Sequence, residues 1–585
     1  MKSFFKNVLA CIVAFFIVGA LLIGFFFIIL IVGSISGESK VKVQDSSVLT
    51  LTSKTIVVDS PTEMNEGLFS MPSDETKVLV YDVVKAINAA KTDDKIKGIS
   101  LEADFIYAGF TQLTNIREAL EDFKKSGKFV YAYGNTVTQS GYYLSSVAQE
   151  YHLNPMGFID LKGLSAEVVF FKNFIDKYGI GMDVLRHGQF KAAVEPFIEN
   201  SISEENKEQL STLLGDLWGK MSSEIAESRK ISNATLQVTA DSLVAILPEE
   251  PLRRKLVDAE SQFSQYETLL KKKVGVKEDK KLQRISFPKY IKSIKDNEKS
   301  KESHVAVLYA SGSIMNGEGS DNIYSTTFRE HIQKLKDDDK VKAVVFRVNS
   351  PGGSANASEE ILYELSELKK KKPLVISFGD YAASGGYYIA MAGDRIYSEP
   401  GTVTGSIGVF GMIPNMKELA ERNGIRSDVV QTNSNALYHS NLQGLSQGAR
   451  SVLSRSIEAT YKRFVYWVTK NRKQSFEQID AIGGGRVWSG IKAKELGLVD
   501  ELGTLNDAVL DAAKRAKLSE YSVSSYPKKV SFYEELMKDL NSDQLQSKII
   551  ERKLGAENYK LFELLFSPDP QNKIMAESFY RIKMN

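Results

Sequence analysis

Two short stretches in this chain hold residue types that could do covalent chemistry on a carbonyl group. The first is Asp380-Tyr-Ala-Ala-Ser-Gly-Gly-Tyr-Tyr388, where Ser384 stands between a strand expected to end near Phe378 and the start of a helix. At such a junction a hydroxyl and backbone N–H groups point outward together, which suits a nucleophile. Ala382, Ala383, Gly385 and Gly386 leave room for a substrate backbone, and the Gly385 N–H could donate to a developing oxyanion. A glycine-rich helix start capped by serine would read the same way. The second stretch is Asn349-Ser-Pro-Gly-Gly353, at the end of the preceding strand. Gly352 and Gly353 would let N–H groups face a ligand without side-chain obstruction, as the other half of an oxyanion hole. In isolation SPGG is also an ordinary turn.

A serine nucleophile needs a base. The five histidines, His152, His187, His304, His331 and His439, show no acid-paired or serine-flanking pattern. A lysine can serve only if burial lowers its pKa from about 10.4 toward neutrality. Lys191, in His187-Gly-Gln-Phe-Lys-Ala-Ala-Val-Glu-Pro-Phe197, has apolar and small neighbours, unlike most lysines of this chain. A lysine snorkelling from an apolar helix would share that context.

The elements that position these residues come in duplicate. Lys95 aligns with Lys340, Gly134 with Gly379, Tyr142 and Tyr143 with Tyr387 and Tyr388, Pro155 with Pro400, Gly179 with Gly424 and Asp183 with Asp428, all at a spacing of 245 positions. An ungapped register over nearly a hundred residues marks an internal repeat. Each repeat alternates strand and helix: strand from Val341 to Val348, helix from Ser358 to Lys370, strand from Pro373 to Phe378, helix from Gly385 to Ala392. Strands such as AVVF and PLVISF are apolar on both faces, as in a parallel sheet covered by helices, so the fold class is α/β.

With 75 Lys+Arg against 73 Asp+Glu, the formal net charge of +2 offers no general attraction to nucleic acid. The single cysteine, Cys11, excludes an intrachain disulfide, a cysteine zinc cluster and a thiol site built from cysteines in the body. Residues 8–33 form an uncharged, apolar run behind Lys2 and Lys6, longer than the roughly 20 residues that cross a bilayer as helix. No A-x-A-like cleavage site follows, so this run is expected to stay as a single anchor, with the N-terminus cytoplasmic and the body outside. The expected organisation is a stub and anchor at 1–37, a first repeat at 38–270, a Lys-rich connector at 271–303, a second repeat at 304–530 and a helical tail at 531–585.

Together, DYAASGGYY, NSPGG and GQFKAAVEPF resemble the long, duplicated form of the signal peptide peptidase A (protease IV) family over nearly the whole chain. The resemblance implies two tandem ClpP/crotonase-like repeats behind a transmembrane helix, with Ser384 as nucleophile and Lys191 as general base. It implies that Ser406, in Thr404-Gly-Ser-Ile-Gly-Val409, orients the lysine, and it places Gly353 and Gly352 at the oxyanion hole. It further implies membrane-associated peptide substrates, including cleaved signal peptides, a bacterial inner-membrane location with a periplasmic body, and a tetrameric ring. Neither a metal nor an organic cofactor is called for.

The repeat adds a check of its own. At the 245 spacing Ser384 falls on Gln139, Ser406 on Leu161, Gly352 and Gly353 on Tyr107 and Ala108, and Lys191 on Ala436. Neither repeat could catalyse alone, but together they hold one full set. The site must therefore form where the repeats meet, and tethering favours a meeting within one chain. The rival readings are an acyl-CoA hydratase or isomerase, which an external anchored body argues against, and a silent scaffold, which retention of both Ser384 and Lys191 argues against.

Overall fold

The computed structural model describes residues 41–64, 75–297, 300–528 and 574–577, with isolated positions among the first 40. Most of the 8–33 run expected as an anchor lies outside the described residues, as does the 531–585 tail except for 574–577. Among the described residues no helix is long and apolar enough to cross a membrane.

The duplication read from the sequence is a duplication of structure. In the first repeat, strand Ile96–Glu102, helix Phe110–Lys124, strand Phe129–Val137 and helix Gln139–Ser145 follow one another. In the second the sequence is strand Val341–Ser350, helix Ala355–Lys369, strand Leu374–Ala383 and helix Gly385–Ala390, at the same spacing. Ala357, Ile361, Leu362, Leu365 and Leu368 recur at helical spacing on the buried face of Ala355–Lys369. Ser354 starts that helix, its hydroxyl accepting from the Ala357 N–H at 3.3 Å.

Each repeat centres on a parallel sheet. The first runs Ala259–Glu260, Glu150–Ile159, Phe129–Val137, Ile96–Glu102, Ser47–Thr52 and Arg284–Ser286. The second has Leu374–Ala383, Val341–Ser350, His304–Ser311 and Ser522–Tyr526 as its parallel spine. Segment 271–303, expected as a connector alone, also supplies the edge strand Arg284–Ser286 and the helix Phe287–Asn297. Ile285, Phe287, Tyr290 and Ile291 bury themselves in the first core, so the lysines between them mark only the outer face.

A third sheet joins the repeats. Its order is Ile323–Tyr324, Ile314–Met315, Gly352–Ser354, Ile574–Glu577, Val409–Asn415 and Gly181–His187. The last pairing is antiparallel and links the repeats, with Val409 opposite His187 and Asn415 opposite Gly181. A buried charge cluster ties them again. Arg347 on the second sheet donates to Asp59 of the first repeat through Nη2 at 2.8 Å, and to Glu399 at 3.1 Å. Asp380, four residues before Ser384, accepts from the Thr111 N–H at 2.9 Å and the Thr111 hydroxyl at 3.0 Å.

Candidate active site

Strand Leu374–Ala383 ends against Val403–Gly405, and the chain then turns sharply into helix Gly385–Ala390. The turn residue is Ser384, held at φ 56° and ψ −117°. A non-glycine residue in that region is strained, by roughly 1–3 kcal/mol. The strain is imposed from both sides: the Ser384 N–H donates to the Gly405 carbonyl at 2.8 Å, and the Ser384 carbonyl accepts from the Tyr388 N–H at 2.8 Å. The hydroxyl makes no capping bond to the helix, so the capping role weighed for it from sequence is not what it does.

Lys191 arrives from the first repeat. The strand Gly181–His187 carries it in against Val409–Asn415, and after Gly188 the chain loops over the Gly483-Gly484-Gly485 run. Phe190 N–H donates to the Gly484 carbonyl at 3.0 Å. A Cβ on Gly485 would lie 2.7 Å from both Lys191 Cβ and Lys191 N, and one on Gly188 would lie 2.3 Å from the Gly484 carbonyl oxygen. Only glycines allow this approach. The amine at the end of the side chain stands 2.8 Å from Ser384 Oγ, 2.9 Å from Ser406 Oγ and 3.4 Å from the Ser406 carbonyl. It also lies 5.8 Å from the centre of the Phe410 ring. Lys191 is 1% exposed, and Ser384 and Ser406 are buried with it. Ser406, like Ser384, has a positive φ, of 51°.

The motif Glu195 fixes the far end of the lysine loop. It accepts from Ser203 Oγ at 2.5 Å and Asn206 Nδ2 at 2.8 Å, at the start of helix Glu204–Arg229. Gln209 on that helix donates back to the Phe190 carbonyl at 3.2 Å.

Gly353 and Gly385 are brought together. A Cβ on Gly385 would lie 3.2 Å from the Gly353 nitrogen and 2.8 Å from Ser358 Oγ, and one on Gly353 would strike the Ile314 carbonyl oxygen at 2.1 Å. The two glycines therefore lie against each other, with Gly385 directly following Ser384 in the chain. Gly352 differs from the sequence expectation, because its N–H already donates to Ser350 Oγ at 3.2 Å. Its left-handed φ of 112° shapes the turn instead.

The first repeat has filled the corresponding place with structure. Gln139, at the Ser384 position, accepts from the Lys162 and Gly163 N–H groups at 3.0 and 2.8 Å and donates to the Gly163 carbonyl at 2.9 Å. Two histidines prove acid-paired in space: His187 with Glu458 at 2.6 Å and His152 with Glu150 at 2.9 Å. His187 is stacked on Tyr461, and no described hydrogen bond connects either ring to Ser384.

Sequence reasoning passed over the Gly483–Gly485 floor, Phe410 and the Asp59–Arg347–Glu399 cluster. A triple glycine was the one visible signal among them. Among the described residues no group of His, Cys, Asp or Glu could hold a metal ion.

Compared with known proteins, residues 122–277 and 366–519 match the model of peptidase family S49, and residues 296–404 match the Clp protease model. "Protease 4" of Salmonella typhi is 38% identical over 490 residues, covering 80% of this chain and 78% of the relative. "Protease 4" of Haemophilus influenzae is 34% identical, covering 87% and 84%. "Serine protease SPPA, chloroplastic" of Arabidopsis thaliana is 29% identical, covering 82% and 70%.

Proposed function

The chain belongs to peptidase family S49, and from that premise we propose that it is a serine endopeptidase with a Ser384–Lys191 dyad. The observation that carries this reading is the Lys191 amine, buried and 2.8 Å from Ser384 Oγ. Ser384 Oγ bonds to the substrate carbonyl carbon while its proton passes to the neutral Lys191 amine. The Gly353 and Gly385 N–H groups stabilise the oxyanion. As the C–N bond breaks, Lys191 returns the proton to the leaving amine, and water then hydrolyses the acyl-serine by the same route. Ser406 positions the amine by accepting its second hydrogen bond.

The slot beside the dyad suits an extended peptide. Between Gly352–Ser354 and Val409–Asn415 the structure holds a strand from the tail, Ile574–Glu577, antiparallel to both, with Ala576 opposite Gly353. A substrate strand can take the same place, its backbone paired on both edges. The Ala and Gly walls favour small or slim side chains near the cut. The substrates are membrane-associated peptides, including signal peptides left by secretion, reached from a bacterial inner-membrane anchor at residues 8–33 with the body periplasmic. Neither a cofactor nor nucleic acid takes part.

The test is Ser384→Ala, assayed on small-residue peptides with Tm measured alongside. Loss of activity by several powers of ten at unchanged Tm is expected for a removed nucleophile. Activity within about tenfold of the parent chain would sink the assignment.

A further inference from the structure

Residues 188–191, the loop that ends in Lys191, rest between two supports that one helix fastens. The first support is the strand Gly181–His187, which delivers the loop, and the second is the run Gly483–Gly485, on which the loop lies. Helix Gln447–Arg472 holds the strand at two points. Arg450 donates to Asp183 within the strand. At the strand's last residue, His187 Nδ1 meets Glu458 Oε2 at 2.6 Å, and the imidazole stacks on the Tyr461 ring with 3.6 Å between centres.

Tyr461 reaches the second support with its other end. Its hydroxyl donates to Asp480 in helix Phe476–Ile482, which runs directly into the glycines, and the Gly484 backbone bonds to the same hydroxyl. A Cβ on Gly483 would lie 3.1 Å from the Tyr461 oxygen. The buried tyrosine therefore touches both the residue that starts the lysine loop and the floor that carries it.

The other repeat lacks this arrangement. Helix Glu204–Arg229 matches helix Gln447–Arg472: each has 26 residues, a serine cap at its start, Ser203 or Ser446, and a left-handed lysine at its end, Lys230 or Lys473. Aligned on those caps, Glu458 falls on Gly215 and Tyr461 on Trp218, whose indole N–H donates to Gln237 instead. The counterpart of His187 is Thr432. The stack is thus present on the side that holds the lysine and absent from the side that holds none.

We propose that Tyr461 and His187 are positioning residues for the general base. Their stack and the Tyr461 hydroxyl fix the spacing between strand end and glycine floor, and through it the place of the Lys191 amine beside Ser384 Oγ. The inference rests on the Ser384–Lys191 reading. Of the two contacts of His187, the stack carries the effect: the Glu458 side chain is 42% exposed, where an ion pair contributes little, whereas the tyrosine ring is buried and rigid. Displacing the amine by about 1 Å costs on the order of a hundredfold in rate and leaves the peptide groove untouched.

The test measures kcat, KM and Tm of the full chain for Tyr461→Phe, His187→Ala and His187→Phe, with Lys191→Ala alongside. Active sites are counted from the end point of fluorophosphonate labelling. Tyr461→Phe, which removes only a hydroxyl, and His187→Ala are each expected to lower kcat per labelled site by about tenfold or more, with KM within about twofold. His187→Phe keeps a ring on Tyr461 and is expected to restore kcat to within about threefold of the parent chain. A purely structural role would instead lower Tm and the number of labelled sites, with kcat per site unchanged. That result, or an equal loss in His187→Phe and His187→Ala, would overturn the proposal while an inactive Lys191→Ala leaves the dyad standing. Turnover by Lys191→Ala near the parent rate would overturn both.

Discussion

Lys191 Nζ stands 2.8 Å from Ser384 Oγ although 193 positions separate the two residues in the chain. One repeat delivers the amine and the other the hydroxyl, and both are buried, so the pair exists only when the repeats are docked. Lys191→Arg is therefore expected to be as inactive as Lys191→Ala, at several powers of ten below the parent chain, because a guanidinium keeps its proton. Residual turnover by Lys191→Arg within about a hundredfold of the parent would mean that no neutral amine is needed.

The pH profile follows from the same pair. Burial disfavours the charged amine, and the reaction needs the neutral form. The rate is expected to rise with pH through an apparent pKa below that of a free lysine, and to be unchanged by EDTA. A rate that falls as pH rises across neutrality, or one restored by zinc after chelation, would contradict the dyad.

Arg347 is fully buried between Asp59 and Glu399. Breaking such a cluster by Arg347→Met is expected to cost about 3–5 kcal/mol, because the buried Asp59 carboxylate loses its counter-ion and Glu399 loses a hydrogen-bond donor. Burial pushes the Glu399 carboxyl up to about 8 from its ordinary 4.5, despite the opposing pull of Arg347, and burial with Asp59 nearby pushes Glu63 up to about 7. Between pH 4.5 and 8 the folded chain therefore holds protons that the unfolded chain has lost. Stability falls as pH rises through that window and levels off above it. Glu399→Gln is expected to flatten the decline in Tm between pH 5 and 8; a slope equal to that of the parent chain would show that Glu399 is ionised throughout.

Gly353→Ala sets a methyl against the Ile314 backbone at a φ of 150°, beside the nitrogen proposed to meet the oxyanion. A loss of about a hundredfold or more in kcat is expected, the usual effect of removing one oxyanion donor. An unchanged kcat would place the oxyanion elsewhere.

The strand Ile574–Glu577 occupies the slot assigned to substrate. A chain ended at Lys573 is expected to bind peptide more tightly, with KM lower by several-fold and kcat within about twofold. An unchanged KM would mean that substrate enters by another path.

The parallel α/β repeats were legible because strand and helix periods recur at one fixed spacing, and the family motifs pointed to Ser384, Lys191 and Ser406, whose side chains the structure brings within hydrogen-bond distance. Other features had no local signature. Arg347 reads as one more charge in a strand until the fold sets Asp59 and Glu399 against it. The role of Gly485 depends on how closely Lys191 approaches it, and Gly352 was separated from Gly353 only by where Ser350 placed its hydroxyl. The edge strand Arg284–Ser286 was hidden because three residues are too few to show a period.

The most direct test of the dyad is covalent labelling by a fluorophosphonate, with the modified residue located by mass spectrometry in the parent chain and in Lys191→Ala. A single adduct on Ser384 in the parent chain, slowed by several powers of ten in Lys191→Ala at unchanged Tm, is the expected result. An adduct on another residue, or labelling of Ser384 at the same rate without Lys191, would contradict the assignment of Ser384 as nucleophile and Lys191 as its base.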